Sequence, residues 1–516
     1  MDDASELHSP ASSAAETFDV LIVGAGISGI GGAYHLQQQC PGTRFVVLET
    51  LESFGGTWLT HKYPGVRSDS DLYTFGYRFK PWVGPPIATA EEILSYMGEV
   101  IEDNGLKPHI RYRHKILNAV WSSADNVWTI EAQRTDTGER RMFKANFLWM
   151  CQGYYRHEKG YTPEWPNMAA YKGRIVHPQT WPEDLDYKNK KVIMIGSGAT
   201  AATVAPAIAG DCAHLTVVQR SPTYFIPGRN QNELADTLRE LKVDETWIHE
   251  IVRRKILFDQ DVFTRRSFEE PETVRNELLE GVKACLGPDH DIAPHFTPKY
   301  RPWRQRIAFV PDGDLFQGIA SGKVTVETDE IERFTETGLV LKSGKAIDAD
   351  MVITATGFDL NVLGDIAFMI DGKPLNFGET VTYRGMMFTG VPNMVWVFGY
   401  FRASWTLRAD LVADFVCRLL NHMKSKGARR VEARLRPEDA NMPLLSWIDP
   451  ENFNPGYLMR GMHLLPKRGD KPEWQHSQDY WREKDELPQI DLDDAAFVYG
   501  WPSQTTGAGA KPVVTA

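Results

Sequence analysis

Two glycine-rich turns in this 516-residue chain have the spacing of a phosphate-binding loop. The first, GAGISG, occupies residues 24–29, and the second, GSGATA, occupies residues 196–201. Each turn follows a short apolar run and precedes a helix-like stretch, which is the context in which such a turn binds a dinucleotide. The sequence therefore predicts two dinucleotide sites.

The residues of the first turn have separate physical tasks. Gly24 permits a tight turn, Gly26 lets backbone approach a pyrophosphate, and Gly29 allows the helix to pack closely on the strand. Glu49 ends the following apolar run, where its carboxylate can accept hydrogen bonds from ribose hydroxyls. An acid here suits FAD or NAD and disfavours a 2′-phosphate. An ordinary glycine loop is the alternative interpretation.

The second turn differs at the equivalent position. Alignment of residues 46–49 with residues 217–220 places Arg220 where the first unit has Glu49. A guanidinium can pair with a 2′-phosphate that a carboxylate would repel, and Ser221 can add a hydrogen bond. We therefore predict NADPH as the second nucleotide, with a simple surface arginine as the alternative.

The repeat of strand, turn, helix and strand predicts an α/β fold with two Rossmann-type dinucleotide-binding domains and a helical insertion. We expect a discontinuous first domain at 18–165 and 350–500 and a second domain, for NADPH, at 166–349. The insertion is expected at about 230–300, and the run 351–357 should return the chain to the first domain. Residues 1–17 and 501–516 are predicted to be loose tails.

Composition excludes several function classes. The net charge of −11 argues against broad nucleic-acid binding. The five cysteines are widely spaced, without a CxxC or Cys/His cluster, which argues against zinc and favours reduced thiols in the cytoplasm. No apolar run has the roughly 18–20 residues of a membrane span. Oligomeric state stays open.

A constrained stretch, YxGxxxHxxxWP, joins the two turns at residues 171–182. It resembles the FxGxxxHxxxW(P/D) fingerprint of type I Baeyer–Villiger monooxygenases, with Tyr171 in place of Phe. The sister class, the flavin-containing monooxygenases, ends that motif in Phe or Tyr, whereas this chain has Trp181 and Pro182. For any one residue of the stretch, a packed interdomain connector is the alternative interpretation.

A second stretch, GGTWLTHKYPGVRSD at residues 55–69, resembles the same family's GGxWxxxR(F/Y)PGxxxD motif. Lys62 stands where that motif has Arg, which keeps the charge but loses the planar fork. The resemblance extends over residues 18–470 and is greatest to the branch that contains the ethionamide-activating monooxygenase.

The resemblance implies where the cofactors bind and which residues act. FAD should lie on the first turn, with adenine near Ile116, and residues 67–69 should lie where flavin and nicotinamide meet. Arg306 is the implied catalytic cation, oriented by Asp69, and Gln305 replaces a Lys that helps to bind NADPH. The predicted cofactor-binding residues are Gly24, Gly26, Ser28, Gly29, Glu49, Gly56, Thr57, Trp58, Leu59, Thr60, Arg67, Ser68, Asp69, Ile116, Gly196, Ser197, Gly198, Ala199, Thr200, Ala201, Arg220 and Ser221.

The activity that the resemblance implies is NADPH- and dioxygen-dependent insertion of one oxygen beside a ketone carbonyl, giving an ester or lactone. Side oxidation of sulfides would use the same flavin C4a-peroxide, and His177 and Trp181 would serve the interdomain hinge. Two alternatives stay open: an N- or S-oxygenating flavin-containing monooxygenase, and a non-catalytic flavin-binding redox sensor.

Overall fold

The computed structural model describes residues 15–501. The two predicted tails lie almost wholly outside these residues. The first strand begins at Glu16 rather than at Phe18, because Glu16 and Thr17 already pair with the strand Arg140–Met150. The boundary predicted at residue 17 is therefore wrong by two residues.

A nine-stranded mixed sheet forms the core of one half of the molecule, the half that carries the first glycine turn. Its centre is the apolar run Val20–Val23, which is fully buried between the parallel strands Phe45–Leu48 and Arg140–Met150. The strands in spatial order are Lys373–Pro374, Ala367–Ile370, His114–Ser122, Val127–Arg134, Arg140–Met150, Glu16–Val23, Phe45–Leu48 and Ile110–Arg111, with Met394–Trp396 also pairing with Arg140–Met150.

A five-stranded parallel sheet forms the second half. The strands in spatial order are Val324–Thr328, His214–Gln219, Lys191–Ile195, Met351–Thr354 and Arg174–Val176. Met351–Thr354 pairs on both sides within this sheet. The prediction that residue 350 returns the chain to the first domain is therefore wrong, because this buried apolar run completes the second sheet first.

Small sheets complete the strand content. They pair Phe225–Gly228 with Ala308–Pro311, Tyr155–Gly160 with Phe358–Leu360, Thr382–Tyr383 with Met387–Phe388, Arg430–Ala433 with Phe497–Gly500, and Ile331–Phe334 with Gly338–Leu341 and Ala346–Asp348. A short break separates the strands Ile110–Arg111 and His114–Ser122. The break occurs at Arg113, whose φ of 62° is incompatible with extended backbone.

The α-helices are Ile27–Gln39, Thr57–Thr60, Leu72–Phe75, Ala90–Asp103, Ala199–Ala209, Glu233–Glu240, Glu245–Glu269, Pro271–Leu286, Ala293–Phe296, Asp314–Ala320, Trp405–Lys426, Gly456–Gly461 and Tyr480–Glu486. The short 3₁₀ segments are Lys107–His109, Met168–Ala170, Pro178–Thr180, Val362–Asp365, Phe377–Glu379, Pro437–Asp439, Met462–Leu464, Pro472–Trp474 and Leu487–Gln489. No helix within residues 15–501 combines the length and apolar character needed to cross a membrane.

Helices occupy the predicted insertion near residues 230–300, and the helices Glu233–Glu240 and Glu245–Glu269 pack on the core beside the first sheet. Ala235, Ile248 and Val252 belong to that core. Arg253 is buried, and its Nη1 donates to the backbone oxygens of Tyr73 and Gly76 at 2.8 and 3.2 Å. The insertion therefore ties the segment that follows residue 69 to the rest of the molecule.

Candidate active site

One cleft of about 1220 Å³ is lined by both glycine turns. Because each turn follows the carboxyl end of a parallel strand, the cleft opens at the sheet edge where α/β folds bind ligands. Its volume exceeds the roughly 300–1,000 Å³ of an ordinary small-molecule site. The cleft therefore has room for more than one ligand, as two dinucleotides require.

The first turn is built for close approach of backbone to a ligand. Gly24 has a φ of 95°, and a Cβ there would lie 2.9 Å from the backbone oxygen of Cys151. A Cβ at Gly29 would lie 1.8 Å from the oxygen of Gly24. The helix Ile27–Gln39 has no side-chain cap, so its first N–H groups are free to donate to phosphate oxygens.

Glu49 supports the first turn from within the protein. Its carboxylate accepts a hydrogen bond from Ala25 N at 2.7 Å and another from Leu51 N at 2.9 Å. Burial raises the pKa of Glu49, and these backbone donors oppose that rise. The carboxylate also lines the cleft, where it is placed to meet ribose hydroxyls.

The second turn repeats the geometry of the first. Gly196 has a φ of 134°, and a Cβ there would lie 2.3 Å from the oxygen of Ala355. A Cβ at Gly198 would meet no atom within 4 Å, so this glycine faces open space. The helix Ala199–Ala209 also begins without a side-chain cap, which leaves its N–H groups available to an anion.

Arg220 occupies the end of the next strand in the second unit. It is exposed, lies beside Ser221 in the lining of the cleft, and follows the strand His214–Gln219. No ion pair or side-chain hydrogen bond to Arg220 forms within the described part of the chain. Its guanidinium is therefore free to bind an anion.

An ion pair between Arg306 and Asp69 lies in the cleft. Nη2 of Arg306 is 3.0 Å from Oδ2 of Asp69 and donates to Oδ1 at 3.1 Å. The Asp69 carboxylate is the main cause that raises the pKa of Arg306. The side chains are 39% and 37% exposed, and both line the cleft. The pair therefore presents a permanent, oriented cation to whatever the cleft holds.

Different parts of the fold deliver the two members of this pair. Asp69 precedes the short helix Leu72–Phe75, which is capped by Asp71 through a 2.8 Å bond from Tyr73 N. Arg306 precedes the strand Ala308–Pro311, which pairs beyond the second sheet with Phe225–Gly228. The cation is thus held where the two halves of the molecule meet.

Aromatic side chains form the cleft wall near this pair. Tyr154 stacks on Trp405, with ring centroids 5.3 Å apart, and the ring of Tyr457 is 6.0 Å from Tyr154. The indole N–H of Trp405 donates to Ser28 Oγ at 2.8 Å. Burial raises the pKa of Tyr154 and of Tyr457, so both phenols are neutral at physiological pH.

Comparison with known proteins gives the family. A family model for an NAD(P)-binding Rossmann-like domain matches residues 22–81, and one described as flavin-binding monooxygenase-like matches residues 82–235. The FAD-containing monooxygenase EthA of Mycolicibacterium smegmatis is 44% identical, covering 90% of this chain and 94% of its own. A probable FAD-binding monooxygenase, AlmA of an Acinetobacter species, is 41% identical, covering 96% and 98%.

The chain belongs to the FAD-containing monooxygenases. Solved structures confirm the predicted α/β fold with Rossmann-type units. A steroid monooxygenase bound to NADP is 22% identical with a TM-score of 0.71, covering 94% of this chain and 100% of its own. A closed cyclohexanone monooxygenase is 19% identical with a TM-score of 0.72, covering 95% and 100%. The prediction of an FAD-dependent monooxygenase, acting with dioxygen on a small molecule, is confirmed.

Most of the residues predicted to serve this monooxygenase line the cleft. They are Gly24, Gly26, Ser28, Glu49, Gly56, Thr57, Trp58, Thr60, Arg67, Asp69, Ile116, Gly196, Ser197, Gly198, Ala199, Thr200, Arg220, Ser221 and Arg306. Gln305 lines it as well. The individual contacts of these residues with cofactors stay predictions.

Four predicted residues do not line the cleft. Gly29 packs against the oxygen of Gly24, and Ala201 is buried in the core of the second sheet. Ser68 is buried, and its Oγ accepts from Ala88 N at 3.2 Å. Leu59 packs against Gly55. In the structure these four shape the turns and helices around the cleft rather than its surface.

The monooxygenase fingerprint at residues 171–182 lies behind the cleft. His177 Nε2 donates to the oxygen of Gly357 at 3.2 Å, and its Nδ1 accepts from Gln179 N at 3.1 Å. A Cβ at Gly160 would lie 1.9 Å from the His177 ring. Burial lowers the pKa of His177, so the ring is neutral. It links the segments that contain Gly160 and Gly357. The hinge role of His177 stays a prediction.

A second histidine, His61, lies in the cleft wall near these connections. Its ring is 6% exposed and lies 6.0 Å from Tyr155 and 5.9 Å from Phe358. Burial, with smaller contributions from the neighbouring His157 and His177, lowers the pKa of His61 to about 4. The junction between the two halves is thus assembled with neutral imidazoles.

Several residues that line the cleft, among them Tyr154, Tyr457 and Arg460, were not predicted from the sequence. Tyr154 follows Gly153 directly after the strand Arg140–Met150, a position that a strand-to-turn pattern could have marked. Tyr457 and Arg460 lie in the helix Gly456–Gly461, far along the chain from any glycine turn. No local signal indicates that this helix reaches the cleft.

Proposed function

We propose that this monooxygenase uses NADPH and dioxygen to insert one oxygen atom beside the carbonyl of an apolar ketone, giving an ester or lactone. The observation that carries the proposal is the Arg306–Asp69 pair, held in the cleft between the two dinucleotide turns and beside an aromatic wall. Sulfides are the expected secondary substrates.

The first unit is assigned to FAD. Free N–H groups at the start of the helix Ile27–Gln39 would hold the pyrophosphate, and Glu49 would accept from the ribose. When bound there, the flavin supplies the redox chemistry and the activation of dioxygen. We assign residues 16–165, together with the chain from 355 to 500, to this domain.

The second unit, residues 166–354 with its helical insertion, is assigned to NADPH. The free N–H groups of the helix Ala199–Ala209 would meet the pyrophosphate. The exposed guanidinium of Arg220 would pair with the 2′-phosphate, with Ser221 beside it. An acid at the position of Arg220 would have favoured NADH instead.

The cation supports oxygen transfer because negative charge develops on oxygen when a carbonyl is attacked. Arg306 stays protonated at any working pH and is already oriented by Asp69, so little reorganisation is needed during the reaction. The neutral phenols of Tyr154 and Tyr457 and the ring of Trp405 exclude water and favour an apolar substrate. The five cysteines are unpaired, and all but Cys285 are buried, which is consistent with a cytoplasmic setting.

The test is a product-resolved assay of the FAD-loaded enzyme with NADPH. Phenylacetone, linear 2-alkanones, cyclic ketones and alkyl aryl sulfides would be supplied separately, and the products analysed by gas chromatography with mass spectrometry. We expect ester or lactone from ketones, with NADPH strongly preferred over NADH. Sulfoxide from the sulfides with no ester from any ketone would contradict the proposal and favour S-oxygenation.

A further inference from the structure

Arg460 is a cation in the cleft that neither glycine turn supplies. It lies in the helix Gly456–Gly461. Its guanidinium carbon is 3.4 Å from the centroid of the Tyr161 ring, and its Nη2 donates to the oxygen of Phe358 at 3.1 Å. These two contacts hold the side chain at the point where the strand Met351–Thr354 leaves the second sheet.

Asp359 lies near enough to act on the charge of Arg460, but no carboxylate within the described residues forms an ion pair with this arginine. Its contacts within residues 15–501 are a ring and a carbonyl, and it forms no ion pair there. The neighbouring acid Asp359 lies 3.7 Å from the ammonium of Lys159. One carbonyl satisfies only one of the five N–H groups of a guanidinium, so the others are available to a further acceptor.

Arg460 and Arg220 act on the same region of the cleft. Burial lowers the pKa of Arg460, Tyr161 and Asp359 oppose that fall, and the positive charge of Arg220 adds a smaller lowering. Both arginines line the cleft, as does Ser221. Two unpaired like charges repel until an anion lies between or beside them.

We propose that Arg460 binds a phosphate of the second dinucleotide, together with Arg220. The planar fork of a guanidinium matches two phosphate oxygens, and stacking on Tyr161 fixes the plane of that fork in advance. The helix Gly456–Gly461 therefore completes a nucleotide site that the second glycine turn begins. The inference rests on the proposed use of NADPH.

Two phosphates could be the partner, namely the 2′-phosphate, which only NADP⁺ carries, and the pyrophosphate, which NAD⁺ shares. Isothermal titration calorimetry of the FAD-loaded enzyme with NADP⁺, NAD⁺ and 2′,5′-ADP separates them. We expect Arg460→Gln to weaken NADP⁺ binding about tenfold. Unchanged NAD⁺ affinity with weakened 2′,5′-ADP identifies the 2′-phosphate, and equal weakening of NADP⁺ and NAD⁺ identifies the pyrophosphate.

The matched control is Arg254→Gln, an exposed arginine that pairs with Glu250 at 2.5 Å away from the cleft. It should leave all three affinities unchanged. Arg460→Lys should recover part of the affinity, since it keeps the charge and loses the fork. If Arg460→Gln does not retain FAD, Tyr161→Leu tests the same site by removing the ring beneath the guanidinium, and a severalfold loss of NADP⁺ affinity is expected.

Unchanged NADP⁺ affinity in Arg460→Gln, or in Tyr161→Leu if that variant replaces it, would overturn this inference alone. An equal loss in Arg254→Gln would also overturn it. If the wild-type holoenzyme failed to bind NADP⁺, both the inference and the proposed use of NADPH would be wrong.

Discussion

The two glycine turns share one backbone geometry but differ in the side chain that follows the next strand. Glu49 is 6% exposed and accepts two hydrogen bonds from the backbone around its own turn. Arg220 is exposed and has no such partner among the described residues. A buried, prearranged carboxylate suits a resident cofactor, whereas a free cation suits a nucleotide that enters and leaves. The turn supplies phosphate binding, and the later residue decides which nucleotide binds.

The largest effect is expected when Glu49, the buried one of the two residues, is replaced. Glu49→Ala takes away the ribose acceptor and leaves the N–H groups of Ala25 and Leu51 without their partner. We expect FAD affinity to fall about 100-fold. Flavin fluorescence titration measures this change, and NADP⁺ affinity should be nearly unaffected.

Glu49→Gln is the matched control, since its amide oxygen still accepts one hydrogen bond. It should retain more FAD than Glu49→Ala. Loss of NADP⁺ binding with retained FAD in the alanine variant would reverse the assignment of the two turns.

Replacement of the exposed Arg220 should weaken the use of NADPH and leave FAD binding intact. Arg220→Gln removes the free guanidinium, so we expect the KM for NADPH to rise about tenfold or more, with the KM for NADH unchanged and FAD retained. Steady-state kinetics with both nucleotides measure the effect. Arg229→Gln, an exposed arginine paired with Glu233 at 3.3 Å, is the control. Equal loss with both nucleotides would rule out a specific contact with the 2′-phosphate.

The buried junction should also give the enzyme an acid-sensitive stability. The pKa of His61 is about 4 in the folded protein, below the ordinary value of 6.5. The unfolded chain therefore binds the proton more readily, so stability is unaffected above pH 6.5 and decreases as pH falls towards 4. At pH 5 the loss due to His61 is about 2 kcal/mol.

Denaturant unfolding between pH 7.5 and 5 measures this loss. His61→Phe, which keeps a ring beside Tyr155, should make the pH dependence shallower, and His463→Gln at an exposed position should not. An unchanged slope in His61→Phe would show that other groups cause the acid sensitivity.

The smallest effect is expected at the hinge behind both units. His177→Gln loses the bond to the oxygen of Gly357, which should cost about 1 kcal/mol of stability and change kcat severalfold. FAD content and the affinity for NADP⁺ should be preserved. Complete loss of ester formation with both cofactors still bound would instead indicate a direct role in the reaction.

The sequence predicts both Rossmann-type units because glycine spacing, apolar runs and helix starts are local features. The strand Lys191–Ile195 and the helix Ala199–Ala209 flank the second turn, as its apolar run and helix-like stretch predict. Strand pairing is not local. The run Met351–Thr354 was assigned to the wrong sheet because its apolar residues fit either core.

The site shows the same division between local and long-range information. Arg306 and Asp69 were found through motifs, yet they lie 237 positions apart and meet only in the folded chain. Arg460 and Tyr457 escaped prediction because a short helix near the C-terminal end has no pattern that reports its position against the cleft. Contacts between distant segments require the three-dimensional structure.

The central claim is that the Arg306 cation, fixed between the two units, directs oxygen to the ketone. The most direct measurement is the ester formed per NADPH oxidised by Arg306→Ala. Its control is Arg304→Ala, a neighbouring arginine paired with Glu451 at 3.0 Å. We predict that ester formation falls about 100-fold or more while NADPH oxidation continues, with the control unchanged. Undiminished ester yield from Arg306→Ala would contradict the account.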